Sequence, residues 1–344
     1  MWEERAHHAR QEILSLAGDG NGLSELYEHA IAVVGRSVGA ELMCWAALDP
    51  DTLVISTMIS GEDRIPPEYE PLLADAEYRQ AEPHTFAGLS RSGRVSARLS
   101  ELSAAERDAS VRARTVWRPL GLDQEVRTLF TVDGVSWGAA GMVRSGHDFD
   151  EREVEFLTAV APAIASAARL AVRSEASSLL AGTVPAIVVL GGTGEVRTAT
   201  PGVQEWRQRF DDIAPERFEL LLHLMWIGAR SSPSHVFRTR VRDGRARWAV
   251  LEASPLVGAE EDQVAVLLSP AAADDLGTLL QAAYGLTPRE REVCRQVILG
   301  LSTAEIGRRL YISSFTVQDH LKSVFTKVGV HGRGELVERL RPAA

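Results

Sequence analysis

Residues 286–330 read LTPREREVCRQVILGLSTAEIGRRLYISSFTVQDHLKSVFTKVGV. Thr287-Pro288-Arg289-Glu290 is a capping box with proline in the first helical turn: threonine and glutamate can each satisfy the other's free backbone N–H. Val293, Val297 and Ile298 give that helix an apolar face, and Gly300 ends it. Ser302-Thr303-Ala304-Glu305 is a second capping box, opening a short helix with Ile306 and Leu310 inside. Tyr311-Ile312 makes a tight turn, and Ser313 caps a third helix. The seam of that helix, Val317, Leu321, Val324 and Val328, recurs at steps of four, three and four. Its opposite side carries Thr316, Gln318, Asp319, Lys322, Ser323 and Thr326. A short helix, a tight turn and a longer polar-faced helix form a helix-turn-helix, the second helix sized for a major groove.

Charge sets this stretch apart from the rest of the 344 residues. From Leu286 onward there are ten Lys+Arg and six Asp+Glu, a balance of +4, against 27 basic and 41 acidic residues before it, a balance of −14. An acidic body with a small basic tail implies that the tail alone meets a polyanion. Lys322 and Lys327 are the chain's two lysines, and both lie in the tail.

These residues resemble the LuxR-type DNA-binding domain. The landmarks are Leu286-Thr287-Pro288-Arg289-Glu290-Arg291-Glu292-Val293, Gly300-Leu301-Ser302, Glu305-Ile306, Leu310, Ile312-Ser313, Thr316-Val317, His320 and Lys327-Val328-Gly329-Val330. The match covers about Leu286–Leu340. The resemblance implies a four-helix domain that binds double-stranded DNA as a dimer through its third helix. It also implies a fourth helix, here Gly334–Leu340, that contributes to dimerisation. The candidate DNA-contacting residues are Ser302, Thr303, Arg308, Arg309, Ser313, Ser314, Thr316, Gln318, Asp319, Lys322 and Lys327. Many members carry lysine directly after Thr-Val, where this chain has Gln318, so their target sequence does not transfer.

Upstream, two strand-rich blocks are expected. In the first, helix Leu23–Val38 precedes strands Glu41–Leu48, Thr52–Ile59, Glu125–Val132 and Val135–Arg144, with a polar stretch at about Pro66–Arg114. Asp150 and Glu153 then cap a long helix whose apolar residues Phe156, Leu157, Val160, Ile164, Ala168 and Ala171 predict continuation to about Leu180. This block resembles a GAF domain, and the closing helix is its candidate dimer face. In the second block, Ala186–Leu190 and Glu195–Ala199 flank Gly191–Gly194 as a hairpin, and helical patterns follow at Gly202–Phe210 and Arg217–Ile227. Strands Ser234–Val241, Arg245–Ser254 and Gln263–Leu268 close it, the first two joined at Asp243-Gly244. This block resembles a PAS domain.

The expected fold is therefore multidomain α+β: two antiparallel-sheet sensor domains, GAF-like and PAS-like, followed by an all-α four-helix helix-turn-helix domain. The expected boundaries are 1–180, 181–270, a linker helix at 271–285, and 286–344.

Enzymatic readings find weaker support. Gly134-Val135-Ser136-Trp137-Gly138 has the G-x-S-x-G pattern of serine hydrolases, but that chemistry needs the serine on a strand-to-helix turn, and here a turn precedes it and a strand follows. Gly191-Gly192-Thr193-Gly194 is followed by strand rather than by the helix N-terminus a phosphate loop requires. His84, His147, His223 and His235 are isolated, Cys44 sits among apolar neighbours, and no cluster has metal-ligand spacing. Cofactor and metal are thus expected to be absent, and no cofactor-binding residue is assigned.

The two cysteines fit a reducing cytoplasm. The apolar run Leu157–Val172 falls short of the roughly 20 residues a membrane span needs. The sequence therefore reads as a cytoplasmic, homodimeric transcriptional regulator whose sensor domains control a helix-turn-helix. RNA polymerase and a small-molecule effector are further candidate partners. The alternatives are an acyl-homoserine-lactone-type quorum-sensing regulator, which the second strand-rich block argues against, and an esterase-like enzyme with a DNA-binding tail. A phosphorylated receiver would need a lysine, and none precedes Lys322.

Overall fold

The computed structural model describes residues 2–18, 22–60, 65–78, 81–175, 184–213, 215–232, 234–244, 247–258 and 262–341. Helices α1 (Trp2–Gly18) and α2 (Leu23–Gly35) precede strands β1 (Leu42–Leu48) and β2 (Ile55–Ser60). Helices α3 (Glu70–Tyr78) and α4 (Phe86–Ser92), strand β3 (Ser96–Arg98) and helix α5 (Ala104–Ala109) lead to strands β4 (Gln124–Val132) and β5 (Val135–Arg144). The long helix α6 (Glu151–Glu175) follows; the expected continuation to Leu180 lies outside the described residues.

The five strands form one antiparallel sheet in the order β2-β1-β5-β4-β3. Both faces are covered, so β4 and β5 are buried over most of their length, the polar and charged residues of β4 included. On one face Trp45, Val126, Phe130 and Met142 pack against α2 and α6, and α1 lies on α6. Ala6, Ala9 and Ile13 bury the inner stripe of α1, a helix the sequence reading did not anticipate. Val160 and Ile164 are fully buried in this layer, so they are not the exposed dimer face expected of α6. By length and composition α6 could cross a membrane, but more than half of its apolar window is buried inside this chain.

Strands β6 (Ala186–Leu190), β7 (Val196–Ala199), β8 (Phe237–Arg242), β9 (Trp248–Pro255) and β10 (Val264–Pro270) form the second antiparallel sheet. Its order, β7-β6-β10-β9-β8, repeats the topology of the first. Helices α7 (Val203–Asp211) and α8 (Arg217–Ser231) cover one face through Trp206, Phe210, Phe218 and Leu222. Residues 245–246, expected to begin β9, lie outside the described residues. The fold class is as expected: two antiparallel sheets, then helices only.

Helix α9 (Ala273–Ala283) occupies the stretch expected to be a linker, but it is not a free connector. Leu276, Leu279 and Leu280 are buried in a core continuous with both α6 and the carboxy-terminal helices. Those helices are α10 (Pro288–Ile298), α11 (Thr303–Leu310), α12 (Ser314–Val328) and α13 (Arg333–Leu340).

Candidate nucleic-acid interface

The first three helices of the carboxy-terminal unit begin where the sequence can satisfy free N–H groups. Thr287 Oγ1 accepts from Glu290 N–H (3.3 Å), and Glu290 Oε2 accepts from Thr287 N–H (2.7 Å). Ser302 and Glu305 make the same reciprocal pair at α11 (3.3 and 2.7 Å). Ser313 Oγ accepts from Thr316 N–H at α12 (3.0 Å).

The turn between α11 and α12 is tight for two reasons. Tyr311 takes a left-handed conformation (φ +55°) and ends α11. Gly307 leaves room for the returning chain: a Cβ there would lie 2.7 Å from the Ile312 carbonyl oxygen. The seam Val317, Leu321, Val324 and Val328 is buried as its spacing predicts, which fixes the opposite side of α12 outward. Ser314, Gln318, Asp319 and Lys322 are exposed there, and Thr316 is half-buried. Gln318 and Lys322, one turn apart, line an open groove with Thr303 and Arg333. Arg308 and Arg309 are exposed in the last turn of α11, and neither forms an ion pair among the described residues.

Other candidate residues have their polar groups engaged within the unit. Lys327 directs its ammonium to Glu290 Oε2 (2.7 Å) and the Gly285 carbonyl (3.2 Å). Ser323, read as part of the outer polar side, donates to Glu290 Oε1 (2.7 Å). The hydroxyls of Ser302 and Ser313 serve their caps. Thr303 Oγ1 accepts from Arg333, whose other Nη donates to the Leu301 carbonyl (both 2.7 Å), so α13 clasps the start of α11.

Glu290 is thus more than a cap. It is 4% exposed and joins α10 to α12. Burial alone would raise its pKa, but the hydrogen bonds from Lys327, Ser323 and Thr287 outweigh it and pull the carboxyl down to about 2. The sequence signals only the capping half of this role, and nothing local signals that of Arg333.

The hydrolase pattern has a different explanation. Asp133 (φ +52°) and Gly134 (φ +74°) form the β4–β5 turn, placing Ser136 in a hairpin strand rather than on a strand-to-helix elbow. Its hydroxyl pairs across the strands with Thr131 Oγ1 (3.0 Å). His223, expected to be isolated, bonds Asp75 (2.8 Å) between α8 and α3.

Residues 285–340 match the family model described as "Bacterial regulatory proteins, luxR family". The spore germination protein GerE of Bacillus subtilis is 42% identical over 55 residues, 16% of this chain and 74% of that protein. An HTH-type transcriptional regulator of Mycobacterium tuberculosis is 49% identical over 53 residues, 15% of this chain; the match spans only 6% of that regulator's length. Among solved structures, the phycoerythrobilin-bound GAF domain of a cyanobacterial phytochrome aligns over 48% of this chain and 95% of that one (12% identity, TM-score 0.30). The Vibrio cholera VqmA–ligand–DNA complex aligns over 45% of this chain and 80% of that one (16% identity, TM-score 0.22).

Proposed function

We propose a function from one premise: through its carboxy-terminal helices the chain belongs to the luxR family of bacterial regulatory proteins. It is a sequence-specific DNA-binding transcriptional regulator, not an enzyme. Helix α12 enters the major groove and reads bases with Gln318, Asp319 and Lys322. Arg308 and Arg309 meet phosphates, and Ser314 and Thr316 lie at the helix start beside the backbone. The observation that carries this reading is the outward polar face of α12, held by a fully formed seam beside two arginines that have no ion-pair partner among the described residues. Lys327 acts indirectly, by fixing α12 to α10 through Glu290.

The protein works in the cytoplasm as a homodimer, since one helix-turn-helix gains affinity by reading two half-sites about 34 Å apart. The two sheet-bearing units, GAF-like up to about residue 180 and PAS-like up to about 270, sense a small-molecule effector and control the output. RNA polymerase is the partner through which transcription changes. Selection from randomised duplexes with the full-length protein tests this. A palindromic or direct-repeat motif is expected, and recovery of no motif would refute it.

A further inference from the structure

A cavity of about 90 Å³ lies between the first sheet and helix α8, which belongs to the second sheet's layer. Leu42, Cys44 and Ala46 of β1 form its floor, α3 its side, and Leu220 and Leu224 of α8 its roof. Neither sheet unit encloses it alone. We propose that this shared cavity binds a small, neutral organic molecule carrying an acceptor oxygen, such as a ketone, lactone or amide.

The walls are costly to build without such a purpose. Arg112, Glu125 and Arg127 are at least nine-tenths buried and line the cavity. Burying each charge costs several kcal/mol unless it is fully paired, and an apolar filling is often the more stable solution. Ionised groups gathered at a cavity are a mark of binding sites rather than of cores.

The pairing pattern selects the ligand's chemistry. The carboxylates here are already engaged. Glu125 accepts from Arg112 Nε through both oxygens (3.0 and 2.9 Å). Glu82, just behind, accepts from Ser110, the Val111 N–H and Arg112. Glu77 accepts from the Phe86 N–H (2.6 Å) and Arg127 Nη2 (2.5 Å). What is left over on the wall is donors rather than acceptors, among them Arg127 Nε, which is buried and has no hydrogen-bond partner among the described residues. A buried unmet N–H favours a ligand that accepts. An anion is disfavoured, because the carboxylates of Glu70, Glu77, Glu82 and Glu125 outnumber the guanidiniums of Arg112, Arg127 and Arg217. A cation finds no open acceptor on Glu77, Glu82 or Glu125. The volume equals about three waters, or a ligand body of about five or six non-hydrogen atoms, and has no room for a long acyl chain.

This site deepens the sensor reading and depends on it only for its regulatory meaning; binding is measured without DNA, so failure of the DNA-binding reading would leave the result intact. The probes are cyclopentanone, butyrate and cyclopentylammonium, of similar size but different charge. Alkylation of Cys44, followed by peptide mass spectrometry on the full-length chain, reports occupancy, and saturation-transfer NMR reports contact. Cyclopentanone at twice its Kd is expected to slow Cys44 alkylation about threefold by mass action. The two ions should not compete. Leu224→Phe and, separately, Ala46→Val should abolish protection while circular dichroism stays unchanged. Absence of saturable protection would mean the cavity holds only water and would overturn the site. Protection surviving in a folded, cavity-filled variant would overturn the location, and preferential binding of either ion would overturn the ligand class.

Discussion

Arg240 and Asp49 form a buried two-pronged ion pair between the two sheets. Arg240 Nε lies 2.8 Å from Asp49 Oδ2, and Nη2 lies 2.9 Å from Oδ1. The same guanidinium reaches Asp51 (2.5 Å) and, on α9, Thr278 Oγ1 (2.6 Å) and the Asp275 carbonyl (3.0 Å). Asp51 in turn stands 3.6 Å from Arg291 of α10. One arginine on β8 therefore ties the β1–β2 turn to the helix preceding the DNA-binding unit.

Arg240→Met is expected to destabilise the protein by about 3–5 kcal/mol, because Asp49 would remain buried without its partner. Asp49→Leu added to Arg240→Met should recover part of that loss. Burial pushes the Asp49 pKa up, but the Arg240 guanidinium and two backbone N–H groups more than offset it and hold it below the usual aspartate value. A depressed folded-state pKa stabilises above the unfolded value, and that stabilisation is lost as pH falls through the folded one. Urea midpoints across an acid series should converge for wild type and Arg240→Met at low pH; parallel curves would refute the pair's role.

Glu290→Gln is expected to loosen α10 from α12 while leaving α12 helical. With the carboxyl at about 2 against 4.5 when unperturbed, its contribution is about 3 kcal/mol at neutral pH. That contribution is present above about pH 4.5 and disappears between there and about pH 2. Hydrogen exchange of α10 and α12 amides checks this: the variant should exchange faster at pH 7, and the difference should shrink on acidification.

Gly138 sits where β5 passes under an aromatic cluster of Tyr27, Trp45 and Phe130. A Cβ there would lie 2.0 Å from Tyr27 Oη and 2.8 Å from the Ala46 carbonyl. Gly138→Ala should therefore cost about 1–3 kcal/mol through overpacking. Tyr27→Phe should relieve only part of it, because the backbone oxygen remains. Thermal unfolding of the two single variants and the double variant reads this directly.

The carboxy-terminal unit was legible because its signals are local: caps three residues apart and a seam at helical spacing, with Val317, Leu321, Val324 and Val328 all buried. Strands β5 and β6 were legible to the residue, bounded by turns. Helix α1 was hidden because its buried stripe is largely alanine, which contributes little to an apolar pattern. Strand β3 is three residues long, too short to show a period. The bonds of Ser323 and Lys327 to Glu290 could not be read from α12, since Glu290 lies more than thirty positions away. Likewise α9 has the composition of a connector, and only its packing against α6 and α13 shows that it is core.

Reading bases and holding the backbone fall to different residues of this unit. Gln318 and Lys322 are exposed one turn apart on α12 and line one groove, so both can face the same stretch of major groove. Lysine suits guanine acceptors and glutamine suits adenine, and each good bidentate contact discriminates by about 1–3 kcal/mol. Asp319 would repel phosphate, so its place on this face fits acceptance from a cytosine amino group. Arg309 lies on the preceding helix, and in the proposed docking that helix crosses the backbone rather than entering the groove. Lys322→Ala should therefore change which bases are preferred in a randomised-site selection. Arg309→Ala should weaken all sequences alike and lower the salt slope by about 0.9, the loss of one phosphate contact. If Lys322→Ala instead leaves base preference untouched and only reduces the slope, Lys322 is a phosphate contact, and base reading rests with Gln318 and Asp319.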